Sequence, residues 1–177
     1  MRAGGSKQKG ASFERDACRL LSLWVSHGKS EDLFWRSAMS GGRATVARKK
    51  GKVLARQAGD ISAVAPEGHV LTDRYYIELK HVKDLQLLQF FFKGTGHLHK
   101  FWETADREAR AHNRRPLVIA RQNKMPTLLI CPMNAVFRMT GSQPVSTDHV
   151  AFQGVEIWRL DDVLRERFKL KPRKPSM

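Results

Sequence analysis

Long apolar runs are missing from this 177-residue chain. The longest, Leu87-Leu88 and Phe90-Phe91-Phe92, fall far short of the roughly 20 residues that a bilayer span needs, so no membrane partner is expected. The stretch from Met1 to Lys9 is polar and basic and lacks the apolar segment of a secretory leader, which sets a cytoplasmic protein as the expectation. Cysteine is almost absent. Cys18 and Cys131 have no metal-ligand spacing and offer no disulfide framework, so both are expected as buried apolar residues. A phosphate loop is also lacking, because Gly94-Thr95-Gly96 is not followed by Lys and Ser or Thr. His97 and His99 form a His-x-His pair, which in a loop is more often incidental than metal-binding. Acids are scarce as well: 17 against 32 Lys and Arg leave a net charge of +15. That much self-repulsion is costly unless a polyanion is the partner, and nucleic acid is the leading one. An anionic membrane ranks well behind it, because no basic amphipathic helix stands out.

What is present suits one globular domain. Hydrophobic residues make up 41%, an ordinary share, and the length supports a full core. Residues 1–9 are expected as a flexible basic N-terminus, 10–168 as the domain, and 169–177 as a disordered basic tail. Phe13, Ala17, Leu20, Leu21 and Trp24 recur at helical spacing behind Ser12 as N-cap. Leu33 to Ala38 reads as a strand, ended by Ser40-Gly41-Gly42. A second strand starts at Asp60 and stops at the turn cluster Pro66 to His69; a third is Tyr75 to Lys80. Asp84 to Lys93 is a short helix or an irregular segment, with its Phe trio in the core or at a dimer surface. A helix follows over about 100–112, then strands at 116–120 and 127–131. Residues 134–149 are left unassigned; 155–160 reads as a last strand and 161–168 as a closing helix. The order predicts an α/β sandwich around a mixed sheet, three meander-connected strands first and a fourth reached through a helix crossover.

The chemistry concentrates on the third strand. Alternation puts Tyr75, Ile77 and Leu79 on one face and Tyr76, Glu78 and Lys80 on the other. Glu78 and Lys80 are then roughly 7 Å apart along one strand. Asp60 starts the preceding strand. A phosphodiester is anionic and water is a weak nucleophile; a divalent ion neutralises the one and acidifies the other. Mg²⁺ takes oxygen ligands and keeps several waters, so Asp60, Glu78 and a backbone carbonyl between Glu78 and Lys80 form a sufficient set. Lys80 supplies a positive donor for phosphate or water. The plainer alternative is an exposed sheet face with a charge pair, since Glu-x-Lys is common by chance. Glu14 has two readings too: a helix-start carboxylate favoured by the dipole, or an acid aimed along the edge of the buried face toward the sheet. Between the first two strands lie Arg43, Arg48, Lys49, Lys50, Lys52 and Arg56 with no acid among them, a solvated charge run or a loop that grips phosphates.

Asp60 followed by Glu78-Leu79-Lys80 resembles the core of the PD-(D/E)XK nuclease superfamily. Lys9-Gly10-Ala11-Ser12-Phe13-Glu14-Arg15, Trp35-Arg36-Ser37 with Ser40-Gly41-Gly42, and Gly59-Asp60-Ile61 resemble archaeal-type Holliday junction resolvases. The resemblance covers residues 9–80 and has the flavour of a bacteriophage member. It implies a restriction-endonuclease-like fold, Mg²⁺ with Mn²⁺ able to substitute, branched DNA as substrate and a homodimer. It implies metal binding by Asp60 and Glu78, with Glu14 supporting the site directly or through water. Lys80 becomes the catalytic lysine and Ser37 a contact near the phosphate. Arg36 joins the six basic residues of the 43–56 stretch as a candidate DNA contact. Gly59 departs from the family pattern by standing where the motif's name has proline, and the stretch between Gly42 and Gly59 is long and basic. Two other readings share these residues: a less selective nuclease that nicks duplex or cuts single-stranded DNA, and a catalytically silent DNA-binding module.

Overall fold

The computed structural model describes residues 4–37, 59–144 and 149–171, with side chains from residue 8 onward. The basic stretch carrying Arg43, Arg48, Lys49, Lys50, Lys52 and Arg56 lies outside the described residues.

Helix α1 runs Gly4–Val25. It begins well before Ser12, which is exposed within it rather than capping it. The apolar stripe behaves as its spacing predicts: Phe13, Ala17, Leu21 and Trp24 are buried, joined by Cys18 and Val25. Strands β1 (Phe34–Arg36) and β2 (Ile61–Ala63) pair antiparallel, with Trp35 opposite Ser62. A 3-10 turn (Pro66–Gly68) and a short helix α2 (His69–Thr72) then lead to β3 (Tyr75–Val82).

That connection corrects the expected meander. Pro66 presets the turn, and Leu71 and Thr72 bury the one-turn helix behind it. The chain is thereby reversed before β3 starts, so β2 and β3 do not form a hairpin. A parallel bridge between Gly59 and Ile77 links the two instead.

After β3 come α3 (Leu87–Lys93) and α4 (His97–Ala111), then β4 (Arg115–Gln122) and β5 (Thr127–Pro132). The unassigned region supplies α5 (Ala135–Thr140) and β6 (His149–Phe152); β7 (Val155–Arg159) and α6 (Leu160–Arg165) close the domain. The five main strands among the described residues are ordered β3-β4-β5-β7-β6. The β3–β4 pair is parallel and the others antiparallel. The helix crossover to β4 is therefore as expected, and the architecture is α/β with a mixed sheet flanked by helices.

Two apolar layers sandwich this sheet. Tyr75, Ile77, Leu79, Leu117 and Ile119 pack with Phe13, Leu21 and Trp24 of α1. Val118, Ala120 and Ile130 pack with Leu98 and Ala105 of α4. In α3 only Phe90 is buried; Phe90 and Phe91 meet Phe152 edge-on, and Phe92 stands exposed. The start of the expected C-terminal tail is docked: Lys169 N donates to Met139 O at 2.7 Å and Phe168 lies edge-on to Trp24. Both cysteines are buried and unpaired. Burial, with help from Glu14, pushes the Cys18 thiol up to about 12. Among the described residues no helix is long and apolar enough to cross a membrane.

Candidate active site

Gly59 opens the site. Its φ of +91° lies in the left-handed region, which glycine adopts without penalty. A Cβ there would meet Ile77 O at 2.5 Å. Proline, held near φ −65°, cannot occupy this position, so glycine is what the geometry requires. The tight approach brings Asp60 onto β3. Asp60 N donates to Ile77 O at 2.8 Å, and Leu79 N donates to Asp60 Oδ2 at 2.8 Å. The acid is thus locked against the peptide between Glu78 and Lys80.

Glu78 and Lys80 point to the α4 side, as alternation predicts. Glu78 is 8% exposed and its Oε1 pairs with Lys80 Nζ at 2.5 Å. Lys80 Nζ lies 5.7 Å from the centre of the Phe101 ring. The Tyr76 ring stacks on His112. The two-residue period places Tyr76 on the same face as Glu78 and Lys80, but the sequence alone gives it no role.

The electrostatics fit a cation. Burial first, then the neighbouring Glu78, raise the Asp60 carboxyl to about 6; the Leu79 N–H and Lys80 offset only part of this. Burial lowers the proton affinity of Lys80, but Glu78, Asp60 and Glu14 outweigh it and the net shift is upward. Lys80 is therefore a cation at neutral pH rather than a base. Burial and then Glu78 and Asp60 also push Tyr76 up, which keeps its hydroxyl protonated. Asp60, Glu78 and the Leu79 carbonyl are oxygen donors, the kind a hard divalent ion takes. No group of three or more His, Cys, Asp or Glu side chains is placed to hold a metal among the described residues.

The other predicted residues sit around this centre. Glu14 of α1 pairs with Arg36 of β1 through Oε2 and Nε, so the candidate third acid and the candidate DNA contact engage each other. Ser37 is buried; its N–H donates to Asp60 O at 2.9 Å and its hydroxyl is 2.7 Å from that of Ser62. His97 and His99 are held locally, by Asp84 O and Glu103.

A family model described as "Phage putative PDDEXK endonuclease" matches residues 5–164. The chain belongs to this family. No curated protein and no solved structure matches it. The family match extends past the region of sequence resemblance into β7 and α6. As a PD-(D/E)XK endonuclease the chain is a nuclease whose substrate is DNA, and its +15 charge is that of a polyanion binder.

Proposed function

We propose that the chain is a Mg²⁺-dependent, structure-selective DNA endonuclease that acts on branched DNA in the manner of a Holliday junction resolvase, as a homodimer. The observation that carries the catalytic part is Asp60, fixed by Leu79 N–H beside the Glu78–Lys80 pair and raised in pKa first by burial and then by Glu78. Asp60 and Glu78 would hold the ion, with Mn²⁺ able to replace Mg²⁺. When bound, it supplies neutralisation of phosphate charge and a nucleophilic water at neutral pH.

The chain's residues do the rest. Lys80 stays charged and donates toward the phosphate or the attacking water. Tyr76 stands on the same face with its hydroxyl kept protonated. Ser37 steadies the Asp60 main chain and stands close enough to the acid to approach a phosphate. Glu14 supports the site at one remove, by fixing Arg36 and adding negative charge near Asp60. Arg36 and the basic residues from Arg43 to Arg56 hold the DNA backbone, which positions without reading sequence.

Junction preference is supported by the resemblance of residues 9–80 to the resolvases. The test is to incubate the purified chain with Mg²⁺ and labelled four-way, Y-shaped, duplex and single-stranded DNAs. The reading requires preferential cutting of the four-way junction, together with a dimer by sedimentation. Equal cutting of all four DNAs leaves a nuclease without structural selectivity and removes the resolvase reading.

A further inference from the structure

Residues of β1 divide between two faces. Phe34 is 1% exposed and Arg36 reaches Glu14 of α1. Trp35, between them, points away from α1 and is 62% exposed. Trp24 and Trp158 are buried, and Trp102 packs against the α4-side core. On β2, Ile61 belongs to the α1-side core, while Ser62 stands opposite Trp35 and bonds to Ser37. On β3 the same division holds: Ile77 and Leu79 face α1, and Lys80 reaches Phe101 of α4.

The bridge from Gly59 to Ile77 makes these faces continuous. Trp35, Ser37 and Ser62 therefore share a side with Glu78 and Lys80. Helix α4 packs on β3 and β4, whereas β1 packs on α1. On this side α4 therefore lies over β3 and β4 beside the Asp60-Glu78-Lys80 group, and the β1–β2 pair presents the exposed Trp35 indole. Trp35 and Ser37 are two residues apart, roughly 7 Å along the strand, and Ser37 N–H holds the Asp60 main chain. The indole is rooted next to the cleavage centre.

We propose that Trp35 is a stacking platform for a nucleobase of the DNA substrate that has lost its partner in the duplex. This rests on the reading of Asp60, Glu78 and Lys80 as the cleavage site. An indole left in water contributes nothing to the core, while its π-face accepts any base. Net charge of +15 draws the phosphate backbone to the protein. Bases inside an intact duplex have no free face, so stacking on Trp35 favours branch points, gaps and single strands. Trp35 thus acts on the choice of DNA structure and leaves the chemical step alone.

The test uses the full chain with Trp35→Ala and Trp35→Phe, in EDTA. Fluorescence anisotropy reads binding to a labelled four-way junction, a single strand and an unbroken duplex. Trp35→Ala should weaken single-strand and junction binding roughly tenfold, the loss of one base–aromatic stack, with duplex affinity changed less than about twofold. Trp35→Phe should keep most of the affinity. Tryptophan emission of the wild type should fall on adding single strand, and that fall should vanish in Trp35→Phe. Trp35→Ala binding the single strand and junction as tightly as wild type overturns the proposal. So does an equal loss on all three DNAs, or emission that does not respond. Wild-type cleavage with Mg²⁺ is measured alongside. If the wild type cuts nothing while Trp35→Ala selectively loses binding, the cleavage reading fails and the platform stands. If the wild type cuts and Trp35→Ala binds normally, the platform alone fails.

Discussion

The main-chain N–H of Leu79 donates to Asp60 Oδ2 at 2.8 Å, which ties the acid that opens β2 to the peptide separating Glu78 from Lys80. The contact holds Asp60 ready beside Glu78 at a cost. Burial and Glu78 raise its carboxyl from 3.8 to about 6, so the folded chain favours the protonated form.

The sign gives a stability prediction. A carboxyl whose folded pKa is raised helps folding below its unfolded pKa, and that help is lost as pH rises through the folded value. Above about pH 6 the ionised group is a penalty, on the order of 3 kcal/mol at about 1.4 kcal/mol per tenfold change in proton affinity. Asp60→Asn keeps an oxygen for the Leu79 N–H and removes the charge. In EDTA it should melt above wild type at pH 8, and the gap should close below pH 4. Mg²⁺ should raise the melting temperature of wild type at pH 8 and leave the variant unmoved. Identical melting of the two proteins at every pH would remove the charge-strain account.

Lys80 is predicted to act as a fixed cation. Lys80→Ala should lose cleavage by at least about a hundredfold, within the span of a single electrostatic group at a transition state. Calorimetry should still detect Mg²⁺ binding, because the ligands are untouched. Loss of metal binding together with activity would make Lys80 a structural partner of Glu78 only.

The Glu14–Arg36 pair separates two roles. A partly exposed pair contributes roughly 0–1 kcal/mol to stability, so Glu14→Gln should barely change melting. If Glu14 supports the site, cleavage should nevertheless drop at least about tenfold. Glu14 lies mid-helix in α1, not at its start, so full activity with lowered stability would leave it only the task of holding β1 through Arg36.

Much of this was legible in the sequence because strands have a strict period. Glu78 and Lys80 fall on one face by counting alone; that Gly59 marks a close approach to Ile77 emerges only from the structure. The meander was misread because a one-turn helix, His69–Thr72, is too short for a 3.6-residue period to register. The tie between Glu14 and Arg36 was hidden for a different reason. It joins residues 22 apart on different elements, and no local pattern encodes such a contact. Trp35 stands in the Trp35-Arg36-Ser37 motif, but only its exposure in the fold shows that the indole faces water.

The basic stretch makes a prediction about binding alone. Neutralising Lys49, Lys50 and Lys52 should weaken affinity for all sequences alike. The slope of log affinity against log salt should become shallower by about 0.9 per lost phosphate contact. Cleavage at saturating DNA should persist. An unchanged slope and affinity would mean that the run is only solvated charge and that DNA is held elsewhere.

The central claim is that Asp60 and Glu78 hold a divalent ion at which DNA is cut. Its most direct test is single-turnover cleavage of a labelled four-way junction, with Mg²⁺ or EDTA, by wild type, Asp60→Asn and Glu78→Gln, each first shown to be folded and to bind DNA. The account predicts cutting by the wild type with Mg²⁺ alone and no cutting by either variant. Wild-type rates in either variant, or cutting in EDTA, would contradict it.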